Sequence, residues 1–368
     1  MRLPERISAW LLGLLCGLSG TLAFADEPCR IAYDMGSSGI RAGASDSNVI
    51  VRANIDYLAP LKAGRGLDET LAPTITALRE LPDQGGFATN CARVGGGFSA
   101  WRLALQQDAD KLAADLAGIA AASGVAVLVI PQNVEGAYGY FGARQLLGSR
   151  LASSHVLDIG GGSMQIAGER TSFGAALGQK LWHQQLCQAI RDTRSQPCTL
   201  QPMTRDELAR ARALLAQQLQ GISSALPEQV TMTAISRPVT QGIAPAVARL
   251  FDRLPGQETI SRTDLTSAIG QMAGLSLDET AMRLEVAPKY AAYLVSDMLL
   301  VEGLMQATAV EDLHIAEIDL TNLPGLLTDE IAFRWGRNYG CYLERLHLLG
   351  LDAYASDPAS CSAVSSPF

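Results

Sequence analysis

Two glycine-rich turns, each beginning with an aspartate, constrain the fold of this chain more than any other feature. The first is DMGSSG at residues 34–39, and the second is DIGGGS at residues 158–163. Each follows a short apolar run, which is the pattern of a buried strand that ends in a tight turn. Backbone N–H groups exposed by such a turn form an anion-binding concavity, and the aspartate can hold a hydrated divalent cation. Two such turns predict a duplicated fold that binds a phosphate chain from both sides.

The first half of the chain alternates strand-like and helix-like segments. An Ala/Leu-rich helix is predicted at residues 108–122, and the β-like run VAVLVI follows at residues 125–130. A strand that follows a helix that follows a strand indicates parallel pairing with right-handed crossovers. A second unit of the same kind is predicted to start near Ser153.

The second half is predicted to be richer in helices. Capping boxes at Thr204 with Glu207 and at Ser276 with Glu279 indicate two helix starts. Apolar residues around the whole circumference predict a buried helix at residues 290–307. A strand is predicted at residues 312–316, and an amphipathic helix at residues 329–349 precedes a polar tail from Ser360.

The first 25 residues have the pattern of a secretory signal peptide. Arg2 and Arg6 precede an apolar core, and an Ala-Phe-Ala cleavage site ends at Ala25. The apolar core is too short to span a bilayer. We therefore expect a periplasmic or secreted protein without a membrane span after cleavage.

The charge of the predicted mature chain argues against binding to nucleic acid. It carries 27 basic and 36 acidic residues, a net charge of −9, and its basic residues do not cluster. An acidic protein that acts on polyanions must attract them locally, through backbone dipoles and metal ions.

Six cysteines remain after the predicted cleavage, an even number that favours disulfides in an exported protein. Six cysteines allow fifteen pairings. Proximity in the sequence favours Cys187–Cys198 and Cys341–Cys361, which leaves Cys29–Cys91. The alternative is that the cysteines are buried free thiols.

Glu135 lies between the two turns, where the strand-like run gives way to a helix in PQNVEGAYGY at residues 131–140. A position at a helix N-terminus favours the ionised carboxylate. A carboxylate near two phosphate-binding turns can orient a water for in-line attack on phosphorus. The alternative is that Glu135 only caps the helix.

These motifs, in this order and spacing, resemble the exopolyphosphatase/guanosine-pentaphosphate phosphohydrolase (Ppx/GppA) family of the actin-like ATPase superfamily. The resembling segments are residues 31–41, 131–140, 157–166, 241–249, 294–305 and 319–329. The resemblance implies an α/β fold with two actin-like (ribonuclease H-like) lobes and a cleft between them. After the predicted signal peptide at 1–25, it implies domain I at 26–151, domain II at 152–328, and a C-terminal helix with a tail at 329–368 that returns to domain I.

The same resemblance implies roles for individual residues. Asp34 and Asp158 would lie near Mg²⁺ or another divalent cation, and Glu135 would act as the base or orient the water. Phosphate would be bound by residues of the two turns and by an arginine that matches the family's first-domain arginine. These residues are Gly36, Ser37, Ser38, Gly39, Arg102, Gly160, Gly161, Gly162 and Ser163.

Two segments also resemble the extracellular apyrases of the same superfamily. EGAYG at residues 135–139 and Ser163 to Gln165 are similar to apyrase motifs in which the glutamine helps to place the nucleophilic water. Gln165 would have that role here. Other positions depart from the Ppx/GppA pattern: Pro131 and Gln132 replace Ser-Gly, Ala137 replaces an arginine, and residues 95–97 (GGG) resemble an insertion.

The sequence therefore predicts an exported, Mg²⁺-dependent phosphoanhydride hydrolase that releases phosphate from polyphosphate or a related oligophosphate. One alternative is an apyrase-like hydrolase of nucleoside tri- and diphosphates. A second, of another class, is a catalytically weak protein that binds or senses phosphate chains. The oligomeric state stays open, a homodimer included.

Overall fold

The computed structural model describes residues 29–194, 197–254, 256, 258–319 and 322–361. The predicted signal peptide and residues 362–368 of the predicted tail lie outside the described residues. The strands are β1 (Arg30–Met35), β2 (Gly39–Ala44), β3 (Val51–Asn54), β4 (Ala92–Gly97), β5 (Ala126–Val129), β6 (His155–Ile159), β7 (Met164–Gly168), β8 (Ser172–Ala175), β9 (Met232–Ala234), β10 (Thr259–Ser261) and β11 (Asp312–Ile315).

Sixteen α-helices connect and cover these strands in the described part of the chain. They are α1 (Leu58–Lys62), α2 (Asp68–Gly85), α3 (Ser99–Gln107), α4 (Ala109–Ser123), α5 (Gln132–Leu147), α6 (Gln179–Arg191), α7 (Arg205–Gln218), α8 (Ile222–Ala225), α9 (Ala244–Leu250), α10 (Arg262–Met272), α11 (Leu277–Leu284), α12 (Pro288–Ala291), α13 (Leu294–Ala307), α14 (Leu323–Thr328), α15 (Glu330–Arg337) and α16 (Tyr339–Leu349).

The strands form two sheets that repeat one topology. The first has the order β3-β2-β1-β4-β5, in which β1, β4 and β5 are parallel and β2 and β3 are antiparallel. The second has the order β10-β11-β9-β6-β7-β8, which is the same arrangement with β10 added at one edge. The two aspartate-led turns therefore occupy equivalent places, after β1 and after β6. The predicted α/β class and its duplicated core are confirmed. We call the part built on the first sheet the first lobe and the part built on the second sheet the second lobe.

The end of the described chain packs on the first lobe. Helix α15 lies against β4 and β5, and α16 lies against α4. The hydroxyl of Tyr342 accepts a hydrogen bond from Val129 N (2.8 Å), and that of Tyr339 donates to Val127 O (2.9 Å). Both tyrosines are buried. Backbone groups of β5, the edge strand of the first sheet, are thus hydrogen-bonded by residues more than 200 positions later in the chain.

Several local predictions are confirmed, and others need correction. Both capping boxes are present, at the starts of α7 and α11. The buried helix predicted from residue 290 is α13, which starts only at Leu294, because Pro288 begins the separate short helix α12. The helix predicted for residues 329–349 is divided into α15 and α16 at Asn338, whose backbone (φ −114°, ψ 36°) is not helical.

The triple glycine at residues 95–97, which resembles an insertion in the sequence, is part of the regular strand β4. It pairs with both β1 and β5 in continuous register. A side chain would not fit: a Cβ on Gly95 would lie 3.0 Å from Val127, and one on Gly97 would lie 2.7 Å from Trp101. Glycine here allows Trp101 and the neighbouring strands to pack against the backbone of β4.

Three disulfides close loops in the two lobes, with the pairing that proximity in the sequence favours. They are Cys29–Cys91, Cys187–Cys198 and Cys341–Cys361. Disulfides of this kind persist in oxidising compartments. Among the described residues, no helix is long and apolar enough to cross a membrane.

Removal of the Cys29–Cys91 disulfide is expected to lower stability more than removal of Cys187–Cys198. The loops span 62 and 11 residues, and loop-closure entropy predicts losses of about 4 and about 3 kcal/mol. The measurement is the melting temperature of the two double-alanine variants, with the wild type in reductant as reference. An unchanged melting temperature in reductant would show that the cysteines do not form stabilising disulfides.

Candidate active site

A cleft of about 630 Å³ lies between the two lobes and contains both aspartate-led turns. Its floor carries the carboxylates of Asp34, Glu135 and Asp158. The cleft is also lined by a fourth acidic side chain, that of Asp319, and by four basic side chains. The basic residues are Arg41, Arg52, Lys180 and Arg237. Acidic and basic groups that line the same cleft suit a site that binds phosphate together with a metal ion.

The first turn is held by its own backbone and by the second half of the chain. Gly36 N–H donates to Gly39 O (3.0 Å). A Cβ on Gly36 would meet open space, whereas a Cβ on Gly39 would clash with Ala53 O. Gly36 therefore exposes its backbone to the cleft, and Gly39 is needed for the pairing of β2 with β3. Asp34 is buried, and its Oδ2 accepts a hydrogen bond from Asn322 N (3.1 Å).

The second turn packs against the start of α6. Gly160 N–H donates to Ser163 O (2.8 Å), and Gly160 O accepts from Gln179 N (2.9 Å). Gly178 precedes the helix, and a Cβ there would lie 2.5 Å from Gly162 N and closer still to Ser163 N. The absence of a side chain at Gly178 is therefore what allows the turn to lie on the helix start.

The two turns touch each other across the cleft. A Cβ on Gly161 would lie 2.5 Å from Ser37 Oγ. Ser37 is buried at this contact, and Ser38 lines the cleft beside it. Gly162 does not line the cleft, because it packs against Ser99. The structure thus brings together all the turn residues predicted to bind phosphate, with Gly162 turned away from the open space.

Glu135 lies in the first turn of α5 at the centre of a buried hydrogen-bond network. Its Oε2 accepts from Arg102 Nη2 (2.6 Å) and from Gln165 Nε2 (2.9 Å). Both donors also reach Ser163 Oγ, at 3.0 and 3.1 Å, and Arg102 Nη1 donates to Ile130 O (2.8 Å). Among the described residues, no hydrogen bond reaches Glu135 Oε1. Glu135 lines the cleft, so Oε1 is the oxygen left to accept a hydrogen bond from a water there.

Arg102 and Gln165 lie behind Glu135 and do not line the cleft themselves. Arg102 is only 4% exposed and Gln165 only 3%. The alternative of a surface ion pair for Arg102 is therefore wrong. A direct contact of Arg102 with phosphate stays a prediction. Its three hydrogen bonds, to Ile130, Glu135 and Ser163, hold the guanidinium behind the cleft.

Burial raises the pKa of all three carboxyl groups on the cleft floor. For Asp158 the pKa rises to about 7, because burial is reinforced by the negative charges of Glu135 and Asp34 and only partly offset by Arg41. Burial also raises the pKa of Asp34, against the opposing hydrogen bond from Asn322. Burial raises the pKa of Glu135 against the opposing charge of Arg102. Three acids that repel one another at close range favour the binding of a cation.

The donor set fits a hydrated divalent cation better than a closed metal cage. Within the described residues, the single cluster of three side-chain ligand atoms inside 4.8 Å is His183, Cys187 and Cys198. Its two cysteines form a disulfide and cannot bind a metal. The carboxylate oxygens of Asp34, Glu135 and Asp158 therefore do not all lie within 4.8 Å of one another. Mg²⁺ suits such a site, because it keeps several waters and binds to one or two carboxylates together with phosphate oxygens.

Sequence patterns did not identify several residues of the site. Arg41 follows the first turn and stands opposite both Asp34 on β1 and Arg52 on β3. Alternation along β2 could have indicated that Arg41 shares a face with the turn. Asn322 and Gly178 have no local signal, since their roles depend on segments that are distant in the sequence.

The fold and the site together define a two-lobed α/β protein whose cleft is lined by acidic and basic side chains. Residues 108–323 match the sequence model of the Ppx/GppA phosphatase family. The chain belongs to this family.

Solved structures agree with this assignment at the level of the fold. A Ppx/GppA enzyme of Aquifex aeolicus is 16% identical, with a TM-score of 0.58 over 82% of this chain and 99% of that chain. An exopolyphosphatase of Cytophaga hutchinsonii is also 16% identical, with a TM-score of 0.57 over 81% and 96%. These likenesses confirm the predicted fold of two actin-like lobes.

One relative is similar in sequence. An uncharacterised protein of Streptomyces coelicolor is 25% identical over 205 residues, which are 52% of this chain and 57% of that protein. The match thus spans little more than half of the relative's length.

Proposed function

We propose that this protein is an exported, Mg²⁺-dependent phosphoanhydride hydrolase that releases phosphate from polyphosphate or a related oligophosphate. The observation that carries this proposal is the hydrogen bonding of the Glu135 carboxylate. One of its oxygens is fixed by Arg102 and Gln165, and the other faces the space between two glycine turns. Membership of the Ppx/GppA phosphatase family supports the reaction class.

In the proposed reaction, Glu135 Oε1 accepts the proton of a water that attacks the terminal phosphorus. The bond between this phosphorus and the bridging oxygen breaks, and the shortened chain leaves with the electron pair. Arg102 and Gln165 keep the carboxylate in one orientation, so that the water is held in line. The backbone N–H groups of Ser38 and Gly161, which line the cleft, bind oxygens of the phosphoryl group.

Asp34 and Asp158 are the residues that would hold the Mg²⁺ ion. When bound, this ion would offset negative charge on the phosphate oxygens and on the leaving group. Asp34 is positioned for this by Asn322, and Asp158 by its place at the end of β6.

Export is supported by two features. The sequence predicts a signal peptide at residues 1–25, and the structure has three disulfides. An exported enzyme would meet inorganic polyphosphate or extracellular nucleotides rather than cytosolic pppGpp.

Hydrolysis of nucleoside tri- and diphosphates in the same cleft is the second candidate. It is favoured by Gln165, which matches the glutamine of the apyrase motif and, being buried, would act on the water only through its hydrogen bond to Glu135. A protein that only binds phosphate chains is disfavoured, because binding alone does not require a buried carboxylate with one oriented, open oxygen.

Phosphate release by the oxidised protein with Mg²⁺ tests these proposals. Long-chain polyphosphate, ATP, ADP and pppGpp are offered in parallel, with Glu135→Gln as the blank. Release from polyphosphate alone supports the leading proposal, and release from ATP and ADP supports the nucleotide alternative. No release from any of them by folded protein would contradict both.

We expect Asp158→Asn to weaken the response to Mg²⁺ and to remove its pH dependence near neutrality. With a pKa of about 7, Asp158 is protonated in the metal-free protein below that pH, so the cation must displace a proton. The affinity for Mg²⁺ should therefore rise with pH and level off above about 7. Titration of Mg²⁺ at several pH values, followed by the melting temperature, measures this.

The same variant also changes the stability of the metal-free protein. The pKa of Asp158 is higher in the folded than in the unfolded state, so its ionisation costs stability as the pH rises from about 4 to about 7. Asp297 is also buried, with a pKa of about 8, and acts in the same direction. The difference between wild type and Asp158→Asn isolates Asp158. Identical pH profiles for the two would show that folding does not raise the pKa of Asp158, and identical Mg²⁺ titrations would remove Asp158 from the metal site.

A further inference from the structure

Three charged side chains form a row across the first sheet, on the face that lines the cleft. Asp34 on β1 stands directly opposite Arg41 on β2, and Arg41 stands directly opposite Arg52 on β3. Residues that stand opposite each other on neighbouring antiparallel strands share a face of the sheet. All three line the cleft, and β3 is an edge strand. The row therefore runs from a carboxylate that would hold Mg²⁺ to the edge of the sheet.

Exposure to solvent increases along this row. Asp34 is only 8% exposed, Arg41 is half-buried, and Arg52 is exposed. Neighbouring strands lie about 5 Å apart, so the backbone of Arg52 lies about 10 Å from that of Asp34. The row therefore suits an extended anion better than a single phosphate group.

The side chain of Arg52 has no partner among the residues that the structure describes. Within those ranges, no carboxylate lies within 4.0 Å of its guanidinium group, and the group donates no hydrogen bond. By contrast, Arg237, which is also exposed in the cleft, reaches Asp319 at 3.9 Å. Arg52 therefore keeps a positive charge that no acid of the described chain balances.

The pairing of Arg52 with Arg41 costs stability in the ligand-free protein. Like charges that stand directly opposite each other on neighbouring strands repel. The charge of Arg41 also acts on Asp34 and Asp158, since it opposes the rise in the pKa of both, but Arg52 lies one strand farther out. A phosphate group between the two guanidinium groups would offset their repulsion and accept charge-assisted hydrogen bonds from both.

A neutral side chain completes the face that β3 turns to the cleft. Side chains alternate along a strand, so Asn54, two residues after Arg52, points to the same face. Asn54 stands opposite Gly39 of the first turn, and it also lines the cleft. The two side chains that β3 presents on this face are thus a cation and an amide, and neither repels a phosphate group.

We propose that Arg52 binds a phosphate group of an oligophosphate substrate beyond the bond that is broken, and thereby sets a preference for longer chains. The identity of the anion rests on the proposed function. The terminal phosphate lies at the two turns, and the chain leaves the cleft along the row past Arg41 to Arg52. A nucleoside triphosphate carries a neutral sugar and base where a longer chain carries further phosphate groups, so Arg52 also favours polyphosphate over nucleotides.

Binding of polyphosphate to a variant that does not turn it over tests this contact. In Glu135→Gln with Mg²⁺, the further substitution Arg52→Met should raise the Kd of long-chain polyphosphate about tenfold, because a charge-assisted hydrogen bond is lost. The Kd of pyrophosphate should not change, because its two phosphate groups do not extend to β3. Isothermal titration calorimetry measures both constants.

Two further variants in the same background separate this contact from an effect of net charge. Arg52→Lys should restore most of the affinity, because it restores the positive charge. Arg170→Met is the matched control: Arg170 is exposed, does not line the cleft and has no ion pair within the described ranges. Both constants should be unchanged in Arg170→Met. Equal weakening by Arg170→Met and Arg52→Met would overturn the proposal.

The melting temperature of ligand-free Arg52→Met tests whether Arg52 is unpaired. Loss of the repulsion from Arg41 should raise the melting temperature by about 1 °C. A melting temperature clearly below that of the wild type would show that Arg52 has a structural partner, and it would contradict the proposal.

Kinetics distinguishes a failure of this inference from a failure of the proposed function. With Glu135 intact, Arg52→Met should raise KM for long-chain polyphosphate about tenfold and leave kcat unchanged. Hydrolysis of polyphosphate with a Kd and a KM that do not depend on Arg52 would overturn this inference and leave the proposed function standing. Binding that depends on Arg52 without hydrolysis would do the reverse. An equal change for pyrophosphate and for the long chain would also overturn the inference, because Arg52 would then act on the phosphate under attack.

Discussion

Replacement of Glu135 by glutamine is expected to lower turnover by about a hundredfold or more while phosphate and Mg²⁺ still bind. The amide keeps the shape of the side chain but cannot accept the proton of the attacking water. The two glycine turns and both aspartates are unchanged by this substitution. Single-turnover phosphate release, together with direct measurement of Mg²⁺ binding, separates the chemical step from binding.

Glu135→Gln also removes the partner of a buried arginine, so stability must be measured with activity. Arg102 donates to Glu135 at 2.6 Å, and breaking a buried ion pair typically costs about 3–5 kcal/mol. The loss of turnover should persist well below the melting temperature of the variant. Glu169→Gln is a suitable control, because the Glu169 side chain is 69% exposed. Turnover near the wild-type value in Glu135→Gln would remove Glu135 from the mechanism.

Replacement of Gly178 by alanine is expected to lower activity about a hundredfold, although Gly178 contacts no substrate. The new methyl group would lie 2.5 Å from Gly162 N and 2.6 Å from Gly160 O, distances that real Cβ atoms do not show. The turn would have to move away from α6, and a displacement of about 1 Å at a reactive site can cost about a hundredfold in rate. The measurement is kcat/KM for polyphosphate with the melting temperature beside it.

Gly118→Ala is the matched control for Gly178→Ala. Gly118 lies in α4, where a Cβ would meet nothing within 4 Å. Alanine there should leave activity unchanged and raise stability by about 0.5–1 kcal/mol, because glycine is unfavourable inside a helix. The backbone angles of Gly178 (φ −68°, ψ 160°) are allowed for alanine. The variant therefore tests only the steric clash of the added methyl group. Normal activity in Gly178→Ala would show that the turn tolerates displacement.

The parts of the site that the sequence predicts are those with a local cause. Asp34 and Asp158 end apolar runs and begin glycine turns, so their place at the strand ends follows from the pattern of neighbouring residues. Glu135 follows a buried strand and opens a helix, and both features are visible in a few residues. The duplicated sheets follow from the repetition of these patterns.

The parts that the sequence does not predict depend on contacts between distant segments. Gly178 is required only because α6 happens to start against the turn after β6, 15 or more residues earlier. Arg102 has the local pattern of a surface residue, yet the structure buries it behind Glu135 and Ser163. None of these relations has a periodicity or spacing of its own.

The return of α15 and α16 to the first sheet has a consequence for the order in which the chain can fold during synthesis. The strands of the second lobe, from β6 to β11, come from one continuous stretch, so this lobe can pack as soon as that stretch has left the ribosome. The first lobe cannot, because the tyrosines that bond to β5 are made about 210 residues after it. Its sheet is synthesised first and completed last. Contacts between residues so distant in the sequence form slowly, and an apolar face of the sheet stays exposed until they form. A chaperone that holds the nascent chain would therefore be expected to bind the N-terminal part of the protein, and loss of the last helix would unfold the lobe that begins the chain.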